Sequence, residues 1–268
     1  MLGMWWAELL NTILASLSKN VPPFSPSDIT GLKAWYDASD TATISLSGSA
    51  VTQWNDKSGN AFNLTQSTGA NRPTSGVNTI NSKNVLDFDG NDYLQASTAS
   101  NWKFLHDTSG STVFFVAYYG STSDYEAHYA TSGGAATAVG TLNYKTNGNI
   151  MGCVMVRGVA GTYVVDANNG TISDNANHQI SYAMDPNNGT AANRAKFRID
   201  KTAQTQGNAQ TGSPSTADPE FALRLGTYDT VTSWGFSGKI AEVIMYTGLL
   251  SDGDITSVQD YITSKWGI

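Results

Sequence analysis

The acidic side chains are the first candidates for chemistry in this sequence, because a suitably spaced pair of carboxylates can hydrolyse a glycosidic bond. The two groups lie about 5–5.5 Å apart in retaining enzymes and about 6.5–9.5 Å apart in inverting ones. The chain of 268 residues has four glutamates: Glu8, Glu126, Glu220 and Glu242. Glu242 is the only acid of the strand-like run Ala-Glu-Val-Ile-Met-Tyr. We interpret it as a structural acid that pairs with a loop or with Lys239.

The sequence patterns of catalytic nucleophiles and of metal ligands do not indicate a reaction either. The sequence contains no Gly-x-Ser-x-Gly motif of the kind that exposes a catalytic serine. The three histidines, His106, His128 and His178, do not have metal-ligand spacing. We interpret His178 as a strand-edge residue held by hydrogen bonds. We therefore expect the protein not to be an enzyme.

An acidic turn is the one candidate for a metal. Asp87, Asp89 and Asp92 supply the dense oxygen that Ca²⁺ requires. However, Asp-Gly-Asn at positions 89–91 is also what a tight hairpin turn prefers. Thr98 stands where an EF-hand loop would have its glutamate. The turn is the favoured interpretation, calcium is the alternative, and no other cofactor is indicated.

Aromatic side chains in turn-rich segments are candidates for carbohydrate binding, since an exposed ring can stack on a sugar beside Asn or Asp groups. The candidates are Trp102, Tyr125, Tyr228 and Trp234. A loop aromatic can also close over a hydrophobic core, so each ring has two possible roles.

The composition indicates an all-β protein. Hydrophobic residues make up 40% and charged residues 14% of the chain, which contains 26 glycines. Short runs of β-forming residues alternate with Gly, Asn, Asp and Pro, which is typical of a sandwich or barrel. The predicted strands are Leu32 to Tyr36, Val51 to Trp54, Val85 to Phe88, Thr112 to Tyr119, Thr162 to Asp166, Gln179 to Met184, Ala195 to Ile199, Ala222 to Gly226 and Lys239 to Tyr246. The single cysteine, Cys153, lies in an apolar run and is predicted to be a buried thiol.

The two ends of the chain have helical patterns. Near the C-terminus, Ser251 is a candidate N-cap with Asp254 three positions later. Ile255, Val258, Ile262 and Trp266 would form the apolar face of that helix. At the N-terminus, residues 1–20 are predicted to form an apolar helical arm that buries the side chains of Trp5, Trp6, Leu9, Leu10, Ile13 and Leu17 against another subunit or scaffold.

The alternatives for this arm are packing on its own domain and cleavage as a leader. A secretory signal is disfavoured because the first cation, Lys19, follows the apolar run. The run is also too short and interrupted for a confident membrane span. Residues 21–28 are proline-rich and predict a stiff, extended linker, followed by a domain at 29–268.

The charge distribution excludes some partners. Formal net charge is −7, and Lys and Arg are scattered. Nucleic acids and acidic membrane surfaces both require a concentrated basic patch. We therefore expect neither partner.

Several segments of residues 29–268 occur in a characteristic order: GLKAWYDASD at 31–40, VTQWNDKSGN at 51–60, VLDFDGNDYL at 85–94, HQISYAMD at 178–185, FSGKIAEVIMY at 236–246 and YITSKW at 261–266. Together they resemble the laminin-G-like branch of the concanavalin A-like lectin/glucanase superfamily. The resemblance implies a two-sheet antiparallel jelly-roll sandwich. It also implies that Trp35, Trp54 and Trp266 are packing residues.

The resemblance gives little support for catalysis. Hydrolases of that superfamily carry Glu-x-Asp-x-x-Glu on one strand, and this sequence lacks that motif. Its alginate lyases use Gln-Ile-His and an Arg-rich strand, whereas His178 here precedes Gln and Ile. A polysaccharide-cleaving enzyme is therefore the least favoured alternative.

Similar chains with a short apolar leader occur among tailed-phage structural proteins and bacterial surface proteins. We predict a non-enzymatic virion protein of the phage head or tail, docked through its arm to other virion proteins and its own copies. Its displayed jelly roll would bind a host-surface polysaccharide. The alternative is an extracellular or cell-surface carbohydrate-binding module.

Overall fold

The structure is a computed structural model that describes residues 23–120, 124–133, 135, 137–159, 163–204, 210, 212–229 and 234–268. The predicted arm at 1–20, with Trp5, Trp6, Leu9, Leu10, Ile13 and Leu17, lies outside the described residues and stays a prediction. No helix in the described ranges is both long enough and apolar enough to span a bilayer.

The described residues are mainly β-strands. Short 3₁₀ helices occupy Pro26–Asp28, Thr41–Thr43, Gly69–Asn71, Ala99–Leu105 and Ala191–Asn193, and one α-helix, α1, spans Asp252–Trp266. The strands are β1 Leu32–Asp37, β2 Ile44–Ser47, β3 Ala50–Trp54, β4 Leu64–Thr65, β5 Thr74–Ile80, β6 Lys83–Asp89, β7 Leu94–Gln95, β8 Ser111–Tyr119, β9 Glu126–Ala130, β10 Val139–Lys145, β11 Ile150–Arg157, β12 Tyr163–Thr171, β13 Ala176–Met184, β14 Ala195–Ile199, β15 Thr202–Ala203, β16 Arg224–Leu225 and β17 Ser237–Thr247.

These strands form two antiparallel layers. The helix-side sheet has the order β15–β14–β13–β8–β17, and β1 and β6 pair with different parts of β17. The open sheet has the order β2–β3–β4–β7–β16–β9–β10–β11–β12. Strand β5 pairs with both β6 and β3 and so links the layers at one edge. The predicted all-β sandwich is therefore confirmed.

The main core lies between the two layers. Phe115 and Tyr182 from the helix-side sheet share it with Met151 and Cys153 from the open sheet. Cys153 is fully buried, as predicted, and burial raises the pKa of its thiol well above the usual range. Removal of this apolar surface from water supplies the main driving force for joining the layers.

Helix α1 covers the outer face of the helix-side sheet. Its predicted N-cap is confirmed, since Ser251 Oγ accepts a hydrogen bond of 3.1 Å from the Asp254 amide. Ile255, Val258, Ile262 and Trp266 are buried in a second hydrophobic cluster, which includes Phe114 and Ile244 of the sheet.

Glu242 anchors this helix. Its Oε1 accepts hydrogen bonds from Trp35 Nε1 at 2.7 Å and Tyr261 Oη at 2.9 Å. Its Oε2 accepts from Trp266 Nε1 at 2.6 Å and lies 3.0 Å from Lys265 Nζ. The structural role is confirmed, but the partners are on the helix and β1. Lys239 instead lies over the Tyr118 ring, 4.1 Å from its centroid.

The described part of the predicted linker also differs from expectation. Phe24 packs against Tyr261, with ring centroids 6.0 Å apart. Pro26 is buried and accepts a 2.8 Å hydrogen bond from Tyr246 Oη. The 3₁₀ turn at Pro26–Asp28 is closed by a capping box from Ser25. From Phe24 onward this segment therefore lies against the helix side and does not extend away as a spacer.

Candidate functional site

The outer face of the open sheet is the candidate site, because helix α1 covers the corresponding face of the other sheet. Directly paired residues of antiparallel strands point to the same side. Neighbouring positions on the strands confirm which side is outward, since Arg224 and Asp166 are half-exposed whereas Leu225 and Ala167 are in the core. One row of paired residues crosses eight strands of this face: Gln53, Thr65, Gln95, Arg224, Ala130, Leu142, Val154 and Asp166.

Four aromatic rings gather over the middle of this row, and we call them the aromatic cluster: Tyr125, Tyr144, Tyr228 and Trp234. Trp234 is central. Its ring stacks on Tyr125 at 4.4 Å and 19°, and its centroid lies 5.2 Å from Tyr144 and 5.3 Å from Tyr228. Tyr125, Tyr228 and Trp234 are half-buried, so the cluster is partly open to solvent.

Small residues of the sheet make room for these rings. Ala127 and Ala130 of β9 belong to the same hydrophobic group as the cluster. Tyr144 lies across Gly152 of β11, where an added Cβ would come within 2.6 Å of the tyrosine ring. The Tyr144 hydroxyl donates a 2.9 Å hydrogen bond to Asn168 Oδ1 on β12. Gly152 is therefore required by close approach of the ring.

Arg224 connects the cluster to the rest of the row. Its guanidinium carbon lies 3.9 Å from the centre of the Phe221 ring. Its Nε donates a 2.9 Å hydrogen bond to Gln95 Oε1, and Nη1 donates a longer one to the Tyr228 carbonyl. These contacts hold a cation at the edge of the aromatic cluster.

A polar cleft of about 440 Å³ begins at Gln95. It is lined by Thr52, Thr65, Gln66, Ser67, Arg72, Tyr93, Gln95 and Ala96. Arg72 braces its wall by donating from Nε to the Gln66 carbonyl at 2.8 Å and from Nη2 to the Ser67 carbonyl at 2.8 Å. Because Gln95 accepts from Arg224, the cleft and the aromatic cluster are continuous along the face.

Three of the four aromatic residues proposed from the sequence thus come together, but Trp102 does not. Trp102 lies in the 3₁₀ helix Ala99–Leu105 and is fully buried, between Phe62 at 5.4 Å and Phe104 at 6.1 Å. It is a core residue and offers no ring face to a ligand. Sequence reasoning missed Tyr144 and Arg224, which only the pairing of distant strands places beside the others.

Each carboxylate of the acidic turn accepts a hydrogen bond from a nearby residue. Asp87 accepts a 2.7 Å hydrogen bond from Asn78 Nδ2. Asp89 accepts from the Asn91 amide at 2.8 Å, and Asp92 accepts from the Asp89 amide at 3.0 Å. Among the described residues, no group of three or more His, Cys, Asp or Glu side chains is arranged to hold a metal. These contacts fit the turn interpretation for Asp89 and Asp92 and place Asp87 on β6 against Asn78 of β5, while calcium at the three positions stays a prediction.

Asp92 makes stability depend on pH. Burial, with the neighbouring Asp89 charge, raises its pKa to about 7. A raised carboxyl pKa means that the folded state binds the proton more tightly than the unfolded state. Protonation of Asp92 therefore stabilises the folded state at low pH, and this stabilisation is lost as pH rises from about 4 to 7. We expect Asp92→Asn to raise the unfolding free energy at pH 8 relative to wild type by about 2–4 kcal/mol, with little difference at pH 4.

Urea denaturation of both proteins at several pH values measures this effect. Asp218→Asn, at a side chain that is 56% exposed, is the control and should leave the pH profile unchanged. Equal pH profiles for wild type and Asp92→Asn would contradict the raised pKa of Asp92.

The histidines are held by hydrogen bonds within the fold. His178, near the start of β13, has its Nδ1 2.7 Å from Asp200 Oδ2 and its Nε2 3.0 Å from Ser173 Oγ, which confirms that hydrogen bonds hold it. The same Nε2 also contacts the Ser173 amide and carbonyl, so the ring fastens the loop before β13. His128 lies in the core between the hydroxyls of Tyr119 and Tyr182, and burial lowers its pKa to about 3.

Comparison with known proteins places the fold in a class. The sequence matches no family model and no curated protein. Similar solved structures are the sialidase of Trypanosoma rangeli in complex with 2,3-difluorosialic acid (TM-score 0.57, 13% identity, 86% of this chain and 33% of the sialidase) and the CBM40 of the Ruminococcus gnavus IT-sialidase bound to α2,3-sialyllactose (0.51, 14%, 65% and 95%). A third is domain 4 of AbnA, an extracellular GH43 arabinanase of Geobacillus stearothermophilus, in complex with arabinotriose (0.51, 12%, 85% and 98%).

At 12–14% identity these likenesses establish the fold. The chain has a β-sandwich consistent with the concanavalin A-like jelly roll, as its motifs predicted. It spans about a third of the length of the T. rangeli sialidase.

Proposed function

We propose that this protein is a non-enzymatic carbohydrate-binding module that binds glycans on the outer face of the open sheet. The observation that carries the proposal is the half-exposed aromatic cluster, with Asn168 and Gln95 beside it. Tyr and Trp rings combine an apolar surface with a polar handle, which suits the apolar faces and hydroxyl rims of sugars.

The positions of the described glutamates support binding without cleavage. Glu242 lies on the opposite side of the sandwich and uses both oxygens to hold α1. Glu126 points into the core, 3.0 Å from the Lys145 ammonium. Glu220 lies beside the cluster, where it accepts a 2.8 Å hydrogen bond from the Gly133 amide. These three glutamates do not form the pair across one sugar bond that hydrolysis requires.

The structural likenesses support the same proposal at the level of fold. Two of the similar domains match this chain over almost their whole length, and both were solved with an oligosaccharide. The shared sandwich is therefore suitable for holding sugars, while the residues that would hold them differ from one such domain to another.

The finer proposal is display on a tailed-phage particle through the N-terminal arm, among other virion proteins and copies of this chain. It rests on the apolar sequence of residues 1–17 and on the place where the described chain begins. Phe24, near the start of the described residues, packs against α1 on the side of the domain opposite the open sheet. An anchor there would turn the glycan-binding face outward. Copurification with intact particles tests this location, and recovery as free extracellular protein favours the cell-surface or secreted alternative.

Trp234→Ala is the direct test of the binding face. The substitution removes the ring that three tyrosines pack against. We expect at least about a tenfold loss of affinity, equivalent to ~1.4 kcal/mol, for any glycan that the wild type retains in a polysaccharide and glycan-array screen. Tyr118→Ala, on the helix-side sheet, is the matched control and should bind normally.

Circular dichroism must show that both variants are folded. Unchanged binding by folded Trp234→Ala would contradict the proposed face. Release of reducing ends from any glycan in the screen would contradict the absence of catalysis.

A further inference from the structure

The aromatic cluster and the polar cleft lie on one row of the open sheet, although they are built by different strands. The cleft is lined by β3, β4 and β7, and the cluster lies over β9 and β10. The row passes between them without a break, from Gln95 on β7 through Arg224 on β16 to Ala130 on β9. A ligand that runs across the strands would therefore meet both.

The distance between them defines a ligand length. Neighbouring strands are about 4.8 Å apart, so the three steps from β7 to β10 cover about 14 Å. One sugar ring together with its glycosidic bond spans about one such step in an extended glycan. A chain that stacks on the aromatic cluster and also enters the cleft must then contain about four residues.

Arg224 keeps the two parts in fixed register. Its side chain is half-buried, stacked on Phe221 and hydrogen-bonded to Gln95, which itself lines the cleft. A rigid connection of this kind reduces the ordering that each part must undergo when one ligand occupies both. Contacts in the cleft can then add to the affinity that the aromatic cluster provides.

The charges on the face favour an uncharged ligand. Glu220 and Asp229 act electrostatically on Arg224, the cation at the edge of the cluster. Asp166 lies at the far end of the row, where it is paired with Val154 of β11. These three carboxylates lie around the cluster, and the guanidinium groups of Arg224 and Arg72 already donate to protein acceptors, so an acidic glycan would meet net repulsion.

From this arrangement we infer that the ligand is a neutral, linear glycan of about four or more residues, which lies across the strands and occupies the aromatic cluster and the cleft together. The inference rests on the proposed glycan-binding function. It adds the chemical class, the direction and the minimum length of the ligand.

Calorimetric titration with oligosaccharide ladders tests the length. The neutral probes are malto-, cello-, xylo- and arabino-oligosaccharides of one to six residues, and the acidic probe is the oligogalacturonate ladder. For the neutral series that binds, we expect affinity to rise at least tenfold between two and four residues and then to level off. Oligogalacturonates should bind more weakly at every length.

Thr65→Trp separates the two parts of the face. Thr65 is an exposed strand residue that lines the cleft, and β7 and β16 separate it from the cluster, so a tryptophan there should obstruct the cleft and leave the cluster intact. We expect this variant to keep the wild-type affinity for the disaccharide and to lose most of the gain at four residues. Thr79→Trp, an exposed threonine of β5 away from the row, is the matched control and should retain the gain.

The outcomes distinguish this inference from the proposed function. If affinity does not grow beyond two residues, or if Thr65→Trp keeps the full gain, the two-part face is wrong, while a loss of binding in Trp234→Ala still supports the proposed function. Preference for oligogalacturonates overturns the neutral class. If none of these ladders and no polysaccharide binds, both proposals fail.

Discussion

Glu242→Ala is expected to lower the free energy of unfolding by about 3–5 kcal/mol, because it leaves three hydrogen-bond donors at a packed interface without their acceptor. Glu242 is fully buried. Without it, the indole N–H groups of Trp35 and Trp266 and the Tyr261 hydroxyl lose their acceptor at the interface between α1 and β17. Lys265 keeps Asp37 as a partner at 2.7 Å, so the lost hydrogen bonds of the aromatic residues account for much of the effect.

Urea denaturation followed by tryptophan fluorescence and circular dichroism measures this change. Glu220→Ala is the matched control, since that glutamate is exposed and accepts one backbone hydrogen bond. We expect it to cost no more than about 1 kcal/mol. Glu242→Gln should lie between the two. A cost for Glu242→Ala as small as that of the control would show that the helix does not depend on this carboxylate.

The parts of the fold that the sequence predicts are those whose pattern is local. The predicted strand Leu32 to Tyr36 corresponds to β1, Thr112 to Tyr119 to β8 and Lys239 to Tyr246 to the middle of β17. The C-terminal helix follows in the same way from its cap and its apolar spacing, both confirmed. In each case one short window contains the information, because burial repeats with the period of the element.

The sequence did not predict strands β9 and β10, because polar and charged residues occupy their inward-facing positions. Glu126 and His128 of β9 face the interior, as do Asn143 and Lys145 of β10, and all four are buried. A strand whose inward positions carry charged and amide groups does not show the apolar periodicity of a half-buried strand. Their pairing with each other is a tertiary fact that no local window contains.

The sequence predicted which types of residue form the candidate site, but not which individual residues belong to it. Tyr125 is far from Tyr228 and Trp234 in sequence, and strand order brings it into one cluster with them. Trp102 has the same turn-rich surroundings, yet its 3₁₀ helix turns it into the core. Composition therefore indicates a stacking surface, while the topology decides which rings belong to it.

The buried pair of Glu126 and Lys145 carries the second large stability effect. Both side chains are fully buried, 3.0 Å apart as a close ion pair. Lys145 Nζ also donates to Asn149 Oδ1 at 3.1 Å, and Glu126 Oε1 accepts from the Ser237 amide at 2.8 Å. Burial raises the pKa of Glu126, with Lys145 acting against the rise.

Lys145→Met should therefore lower the unfolding free energy by about 3–5 kcal/mol at pH 7, because it leaves the Glu126 charge buried without its partner. The folded-state pKa of Glu126 rises further once the lysine is gone, so the deficit should shrink as pH falls toward 5 and the carboxyl becomes neutral. The double variant Glu126→Gln/Lys145→Met removes both charges, keeps similar volumes and should recover most of the loss at pH 7. Urea denaturation of the single and double variants at pH 5 and pH 7 completes this cycle. A double variant as unstable as Lys145→Met would show that the two charges are not coupled, and that the lysine acts through Asn149 or by packing alone.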